Sequence, residues 1–111
     1  MVQVNSESSE PKQSRKARVF PKQQKILTQL GENIRLAIHR RKLSINIVAE
    51  RTGINPKTVQ AIAKGSPSVS MGHYVVVLSA IGLLEDMANV AKDDELGRKL
   101  QDINMTRGRK S

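Results

Sequence analysis

The chain has no cysteine, no tryptophan, one tyrosine and one phenylalanine among its 111 residues. The missing thiols exclude disulfides, thiolate metal ligands and cysteine nucleophiles together, and they are compatible with a reducing compartment. The scarcity of aromatics is unfavourable for a nonspecific RNA or nucleoid binder, because base stacking would find few platforms. No apolar run approaches the roughly 18 uninterrupted residues of a membrane span. The opening MVQVNSESSEPKQ has no apolar segment of signal-peptide type, so a cytoplasmic protein with no membrane partner is expected. Catalytic patterns are missing too. His39 and His73 are isolated, no glycine-rich phosphate loop or Cys/His metal spacing occurs, and half of the carboxylates cluster between Glu85 and Glu95. The expectation is a protein that is not an enzyme and holds no metal or cofactor.

What is present is basic charge, unevenly spread. The formal net charge is +9. Lys and Arg outnumber Asp and Glu five to two over residues 1–22 and eight to two over 23–65; the ratio reverses to one to five over 66–97, then returns to five to one over 98–111. The most basic section that reads as folded, 23–65, has the electrostatic footprint of a polyanion-binding face. The acidic stretch from Glu85 to Glu95 reads as a solvated face turned away from any such ligand.

The chain divides into a tail at 1–22, a folded domain at 23–103 and a basic tail at 104–111. Residues 1–22 are rich in Ser, Glu, Gln, Lys and Pro with few large apolar groups, so they cannot bury enough surface to offset ordering entropy; a disordered tail is expected. Over 23–42, Leu27, Leu30, Ile34 and Ala37 recur at spacings of three and four, which predicts a helix with one apolar stripe. Arg40, Arg41 and Lys42 in its last turn suit the negative end of the helix dipole.

Leu43 to Gly65, LSINIVAERTGINPKTVQAIAKG, reads as two short helices joined by a tight turn. Ser44 caps the first and Gly53 closes it, Asn55-Pro56 opens the second, and Gly65 ends that. Val48, Ala49, Val59 and Ile62 are the buried positions. After the Ser66–Ser70 connector, Ser70 caps a helix holding Tyr74 to Ile81 and ended by Gly82. It is apolar on more than one face, which means either the centre of the core or a partner subunit. Its Val75-Val76-Val77 triplet would also suit a strand, but the flanking caps favour helix. Two short helices, Leu84–Ala91 and Asp93–Asp102, are expected to close the domain. The predicted fold class is all-α, with five to six helices.

The pattern Ile34-Arg35, Leu43-Ser44, Val48-Ala49, Gly53-Ile54, Val59, Ile62, Gly65 and Leu78 resembles the Cro and lambda-repressor type of helix-turn-helix domain, the XRE family, over about residues 29–83. Within that family, Gly65-Ser66-Pro67-Ser68-Val69-Ser70 with Gly72, Tyr74, Val77-Leu78 and Gly82-Leu83 is similar to the HipB-like antitoxins that accompany HipA-type kinases. The resemblance implies a compact lambda-repressor-like DNA-binding domain. It also implies that the second helix of the motif lies in the major groove of double-stranded DNA, its first residues against base edges. With Val59 and Ile62 committed to the core, the DNA-facing residues are Asn55, Pro56, Lys57, Thr58, Gln60, Ala61 and Lys64. Lys57 and Gln60 are the expected base readers, since Lys donates to guanine and Gln pairs bidentately with adenine. Asn55 and Lys64, at the helix ends, are better placed for phosphates.

The chain departs from the family in two places. Many relatives carry a phosphate-holding Gln where this chain has Ile45. An Arg and Glu pair of relatives is replaced by Ile38 and Ala63, an apolar exchange that avoids burying ions. Such modules act as dimers on paired half-sites, so a homodimer through the apolar surface of 71–103 is expected. The implied function is a transcriptional regulator of its own operon, as the antitoxin partner of a HipA-type kinase toxin or, alternatively, as a stand-alone XRE-type repressor with no toxin partner.

Overall fold

The computed structural model describes residues 17–106, which form six helices and, among the described residues, no strand. In chain order these are α1 (Pro21–Arg40), α2 (Ile45–Thr52), α3 (Pro56–Ala63), α4 (Met71–Ala80), α5 (Leu84–Ala88) and α6 (Glu95–Thr106). The all-α class is therefore as expected. The Val75-Val76-Val77 run is helical. Its helix is started by the Ser70 hydroxyl, which accepts from the His73 amide at 3.2 Å. Residues 1–16, most of the expected tail, and residues 107–111 at the C-terminus lie outside the described residues.

Helix ends follow side-chain chemistry, with small corrections. α1 begins at Pro21, two residues before the expected start, because a proline at the first helical position has its φ already set and lacks only an amide that would go unused. The Gln23 side chain accepts from the Phe20 amide at 2.9 Å and seals that end. α1 stops at Arg40 rather than 42. Lys42 takes a left-handed φ of 58°, and the Leu43 amide turns back to the Ile38 carbonyl at 3.1 Å. The caps of the central motif are those expected. Ser44 Oγ accepts from the Ile47 amide at 3.1 Å, and Asn55 Oδ1 accepts from the Lys57 amide at 2.8 Å. Between α2 and α3, Gly53 has a φ of 76°, while the Thr52 hydroxyl donates to the Val48 carbonyl at 2.8 Å and accepts from the Ile54 amide at 3.2 Å.

The core gathers Ile34, Ala37 and Ile38 from α1, Val48 and Ala49 from α2, Val59 and Ile62 from α3, and Tyr74, Val77, Leu78 and Ile81 from α4 and its end. No polar or charged side chain is buried among the described residues. Ile38 is sunk in this core and, being apolar, incurs no ionic desolvation. α1 packs on α3, α2 packs on both α3 and α4, and α5 packs on α4.

The tightest junction in the body is backbone against backbone. A Cβ at Gly31 of α1 would lie 2.5 Å from the Gly65 amide nitrogen and 2.6 Å from the Ile62 carbonyl oxygen. A Cβ at Gly65 would collide with the Leu27 carbonyl, and Gly65 also holds a left-handed φ of 74°. Gln24 Nε2 donates to the Gly65 carbonyl at 3.0 Å and closes the joint. The end of α3 is thereby seated in α1 with no side chain between them.

Tyr74 ties the connector down. Its hydroxyl donates to the Ser66 carbonyl at 2.8 Å from an otherwise apolar position. α4, apolar all round, divides its faces: Tyr74, Val77 and Leu78 are buried, while Met71 and Val76 reach solvent.

The C-terminal part departs from expectation. α5 ends at Ala88. α6 begins only at Glu95, because Asp94 acts as its cap, Oδ1 accepting from the Gly97 amide at 3.0 Å. It then runs to Thr106, past the boundary read at 103, and it does not close the domain: over 95–105, where burial is described, no side chain is buried.

Two measurements check this account. Gly31→Ala and Gly65→Ala should each lower unfolding free energy by on the order of 3 kcal/mol through overpacking. Gly53→Ala, which meets no atom within 4 Å, should cost only about 1 kcal/mol from its backbone conformation. Equal losses at all three positions in urea titrations would refute the interlock. The second measurement uses Tyr74, the only tyrosine. Burial pushes its phenol above the ordinary tyrosine range. The neutral form is favoured in the fold, so this stability is fully present below the unfolded value and is lost as pH rises through the folded one. Ultraviolet titration should find the phenolate forming at higher pH in the folded chain than in urea.

Candidate nucleic-acid interface

α3 exposes one side because the other is committed. Val59 and Ile62 are 1% and 0% exposed. Around the rest of the helix Pro56, Lys57 and Gln60 are exposed, as is Lys64 at its cap, while Thr58 and Ala61 are half-buried. Lys57, Gln60, Ala61 and Lys64 recur at spacings of three and four, so they form one continuous patch. Asn55 is exposed, but its Oδ1 is engaged by the Lys57 amide, which leaves its NH₂ group to donate outward.

Three of the seven expected residues share a depression. Lys57, Thr58 and Ala61 of α3 meet Ser68, Val69, Ser70 and His73, at the start of α4, around an open hollow of about 410 Å³. Asn55, Pro56, Gln60 and Lys64 lie outside that lining. The hollow's second wall has a defined shape. Ser70 Oγ and His73 Nδ1 are 2.9 Å apart, and the Ser66 and Ser68 hydroxyls are 2.7 Å apart. Sequence reasoning assigned Ser70 to capping and His73 to an isolated position, and passed over Ser68. The density of serine in Ser66–Ser70 was the available signal. Nothing local in that segment says that it stands beside α3.

Along α3 the charge is one-signed. From Asn55 to Lys64 there are two lysines and no carboxylate. The exposed Glu85 and Asp86 belong to α5, which follows the far end of the ten-residue α4, about 15 Å along its axis from the hollow. Other cations are partly engaged. Arg35 meets Glu32 in two hydrogen bonds, of 3.0 and 2.7 Å. Through them Arg35 holds the Glu32 carboxyl below its ordinary range. Arg41 donates to the Ala37 carbonyl at 3.0 Å, at the end of α1 where the helix dipole favours a cation. Ile45 packs against the core and offers no polar group, so that part of α2 contributes nothing to an anion.

Chemically, the face offers ammonium, amide and hydroxyl donors around small Ala61, on a rigid helix. Such an array suits phosphate oxygens and base edges. Among the described residues no helix is long and apolar enough to cross a membrane. Compared with family models, with curated proteins and with solved structures, the chain matches none of them.

Proposed function

We propose that this protein is a sequence-specific regulator of transcription that binds double-stranded DNA through α3. On this reading α2 and α3 form a helix-turn-helix unit within a lambda-repressor-like domain. The observation that carries it is the carboxylate-free patch of Lys57, Gln60, Ala61 and Lys64, held rigid by Val59 and Ile62 on the reverse side. α3 enters the major groove, where Lys57 donates to guanine and Gln60 pairs with adenine, while Ala61 and Thr58 meet thymine methyls or sugar. The NH₂ group of Asn55 and the ammonium of Lys64 hold flanking phosphates. Ser68, Ser70 and His73 carry the backbone past the hollow. The face does no chemistry on its ligand, and the protein is a binder rather than an enzyme.

One such helix makes few base contacts, so selective binding requires two copies on half-sites about 34 Å apart. The resemblance to HipB-like antitoxins gives the biological setting: a dimer that represses its own operon and docks a HipA-type kinase toxin. A stand-alone repressor of XRE type is the other reading. Co-purification with a kinase encoded beside it distinguishes the two.

Footprinting on the DNA upstream of the gene tests recognition. Lys57→Ala and Gln60→Ala should each relax preference at one base position, by about 1–3 kcal/mol. Lys64→Ala should weaken all sequences alike and reduce the dependence of log K on log salt by about one. Unchanged base preference in the Lys57/Gln60 double variant would remove α3 as the reading element.

A further inference from the structure

The turn between α1 and α2 is basic. Arg40, Arg41 and Lys42 are all exposed, and the sequence has no carboxylate from Arg40 to Ala49. Cations at the end of a helix are ordinary, because the dipole favours them. Arg41 is used in that way, donating to the Ala37 carbonyl at 3.0 Å. Arg40 and Lys42 are not: among the described residues neither takes part in an ion pair.

The backbone at Lys42 is a second, independent observation. The Leu43 amide donates to the Ile38 carbonyl at 3.1 Å and the Lys42 amide to the His39 carbonyl at 2.9 Å. These are the paired bonds of a Schellman closure, with Lys42 at its left-handed position, φ 58°. That position suits glycine, since any Cβ is crowded there. α2, α3 and α4 follow the preference and close on Gly53, Gly65 and Gly82, at φ of 76°, 74° and 79°. α1 alone of these four helices sets a lysine in that place. The turn would close more easily on glycine, and a side chain kept against the backbone preference points to function.

We propose that Arg40 and Lys42 form a phosphate grip, holding the DNA backbone at the edge of the groove that α3 reads. The proposal rests on the reading of α3 as the groove helix and deepens it. α2 is the strut between the two contacts. Its eight residues span about 12 Å, roughly the width of the major groove. With α3 in the groove and α2 crossing the backbone, the turn at the other end of α2 stands over the phosphates of the bordering strand. The grip supplies what α2 itself lacks there, because Ile45 packs against the core and offers no polar side chain. Its two cations are complementary: a guanidinium forks onto two phosphate oxygens, and an ammonium acts as a point charge.

Lys42→Gly separates this role from a structural one, because it removes the ammonium and relieves the backbone together. In urea the variant should unfold at a higher denaturant concentration than the wild type. On a duplex from the DNA upstream of the gene it should bind about eight-fold more weakly at about 0.1 M salt, and the slope of log K against log salt should fall by about 0.9. Arg40→Gln combined with Lys42→Gly should lower that slope by about 1.8 and leave the footprint pattern as it was. Lys42→Arg should bind as the wild type does. Unchanged affinity and slope in the double variant overturn the grip and leave recognition by α3 standing. A Lys42→Gly variant less stable than the wild type, or a Lys42→Arg variant that binds as weakly as Lys42→Gly, also overturns it, since the lysine would then serve the fold. A wild type that binds every duplex alike, but whose slope still falls in the double variant, removes α3 as the reader and keeps the grip. A wild type with no affinity for duplex DNA ends both.

Discussion

The architecture depends on the contact between two stretches of bare backbone, Gly31 in α1 and Gly65 just past α3. Their approach leaves no room for a Cβ on either side, so α3 is positioned by the main chain of α1 rather than by adjustable side chains. Interiors are packed near crystal density, and a joint made from backbone has little compliance. Val59 and Ile62 then have one orientation in which to meet Ile34, Ala37 and Ile38, and that orientation turns Lys57, Gln60 and Lys64 outward. The rigidity of the proposed reading helix is thus a consequence of two missing side chains.

The core is small and, among the described residues, holds no buried polar or charged side chain. Ala63 is only half-buried and leaves space, while Ile38 fills its site. Apart from pairs along the exposed side of α1, such as Arg35 with Glu32, polar side-chain bonding is concentrated at helix ends and connectors. Ser44, Asn55 and Ser70 satisfy amides that open helices, Thr52 braces the turn, and the Tyr74 hydroxyl takes up the Ser66 carbonyl. Each of these bonds is worth about 1 kcal/mol net. Their larger effect is to fix where helices begin, and therefore which residues of α3 are left outside.

α6 is built on a different principle. It has the periodicity of a packed helix, with Leu96, Leu100 and Ile103 in an apolar stripe at spacings of four and three, but lacks the extensive contacts with its own chain that join the other helices. Ala91 precedes it in a left-handed conformation with φ 63°, and Asp94 caps it without the help of the core. The body and α6 are therefore linked mainly through the chain itself.

Much of the fold was legible in the sequence, because caps and periodicity are local. Ser44, Gly53, Asn55, Pro56, Gly65 and Ser70 mark helix ends by backbone chemistry that acts within a few residues, and Val48, Ala49, Val59 and Ile62 are buried where their spacing puts them. The candidate residues on α3 followed by subtraction, once Val59 and Ile62 were assigned to the core. Other features needed the tertiary structure. Gly31 looks like a helix-weakening residue until Gly65 is seen against it, and Lys42 resembles a helical cation until Leu43 folds back to Ile38. Ser68 and His73 become neighbours of Lys57 only when α4 packs. The stripe on α6 could have belonged to the core or the surface, since periodicity tells that a face is apolar and not what covers it. These last features depend on contacts between residues distant in sequence, which no local pattern encodes.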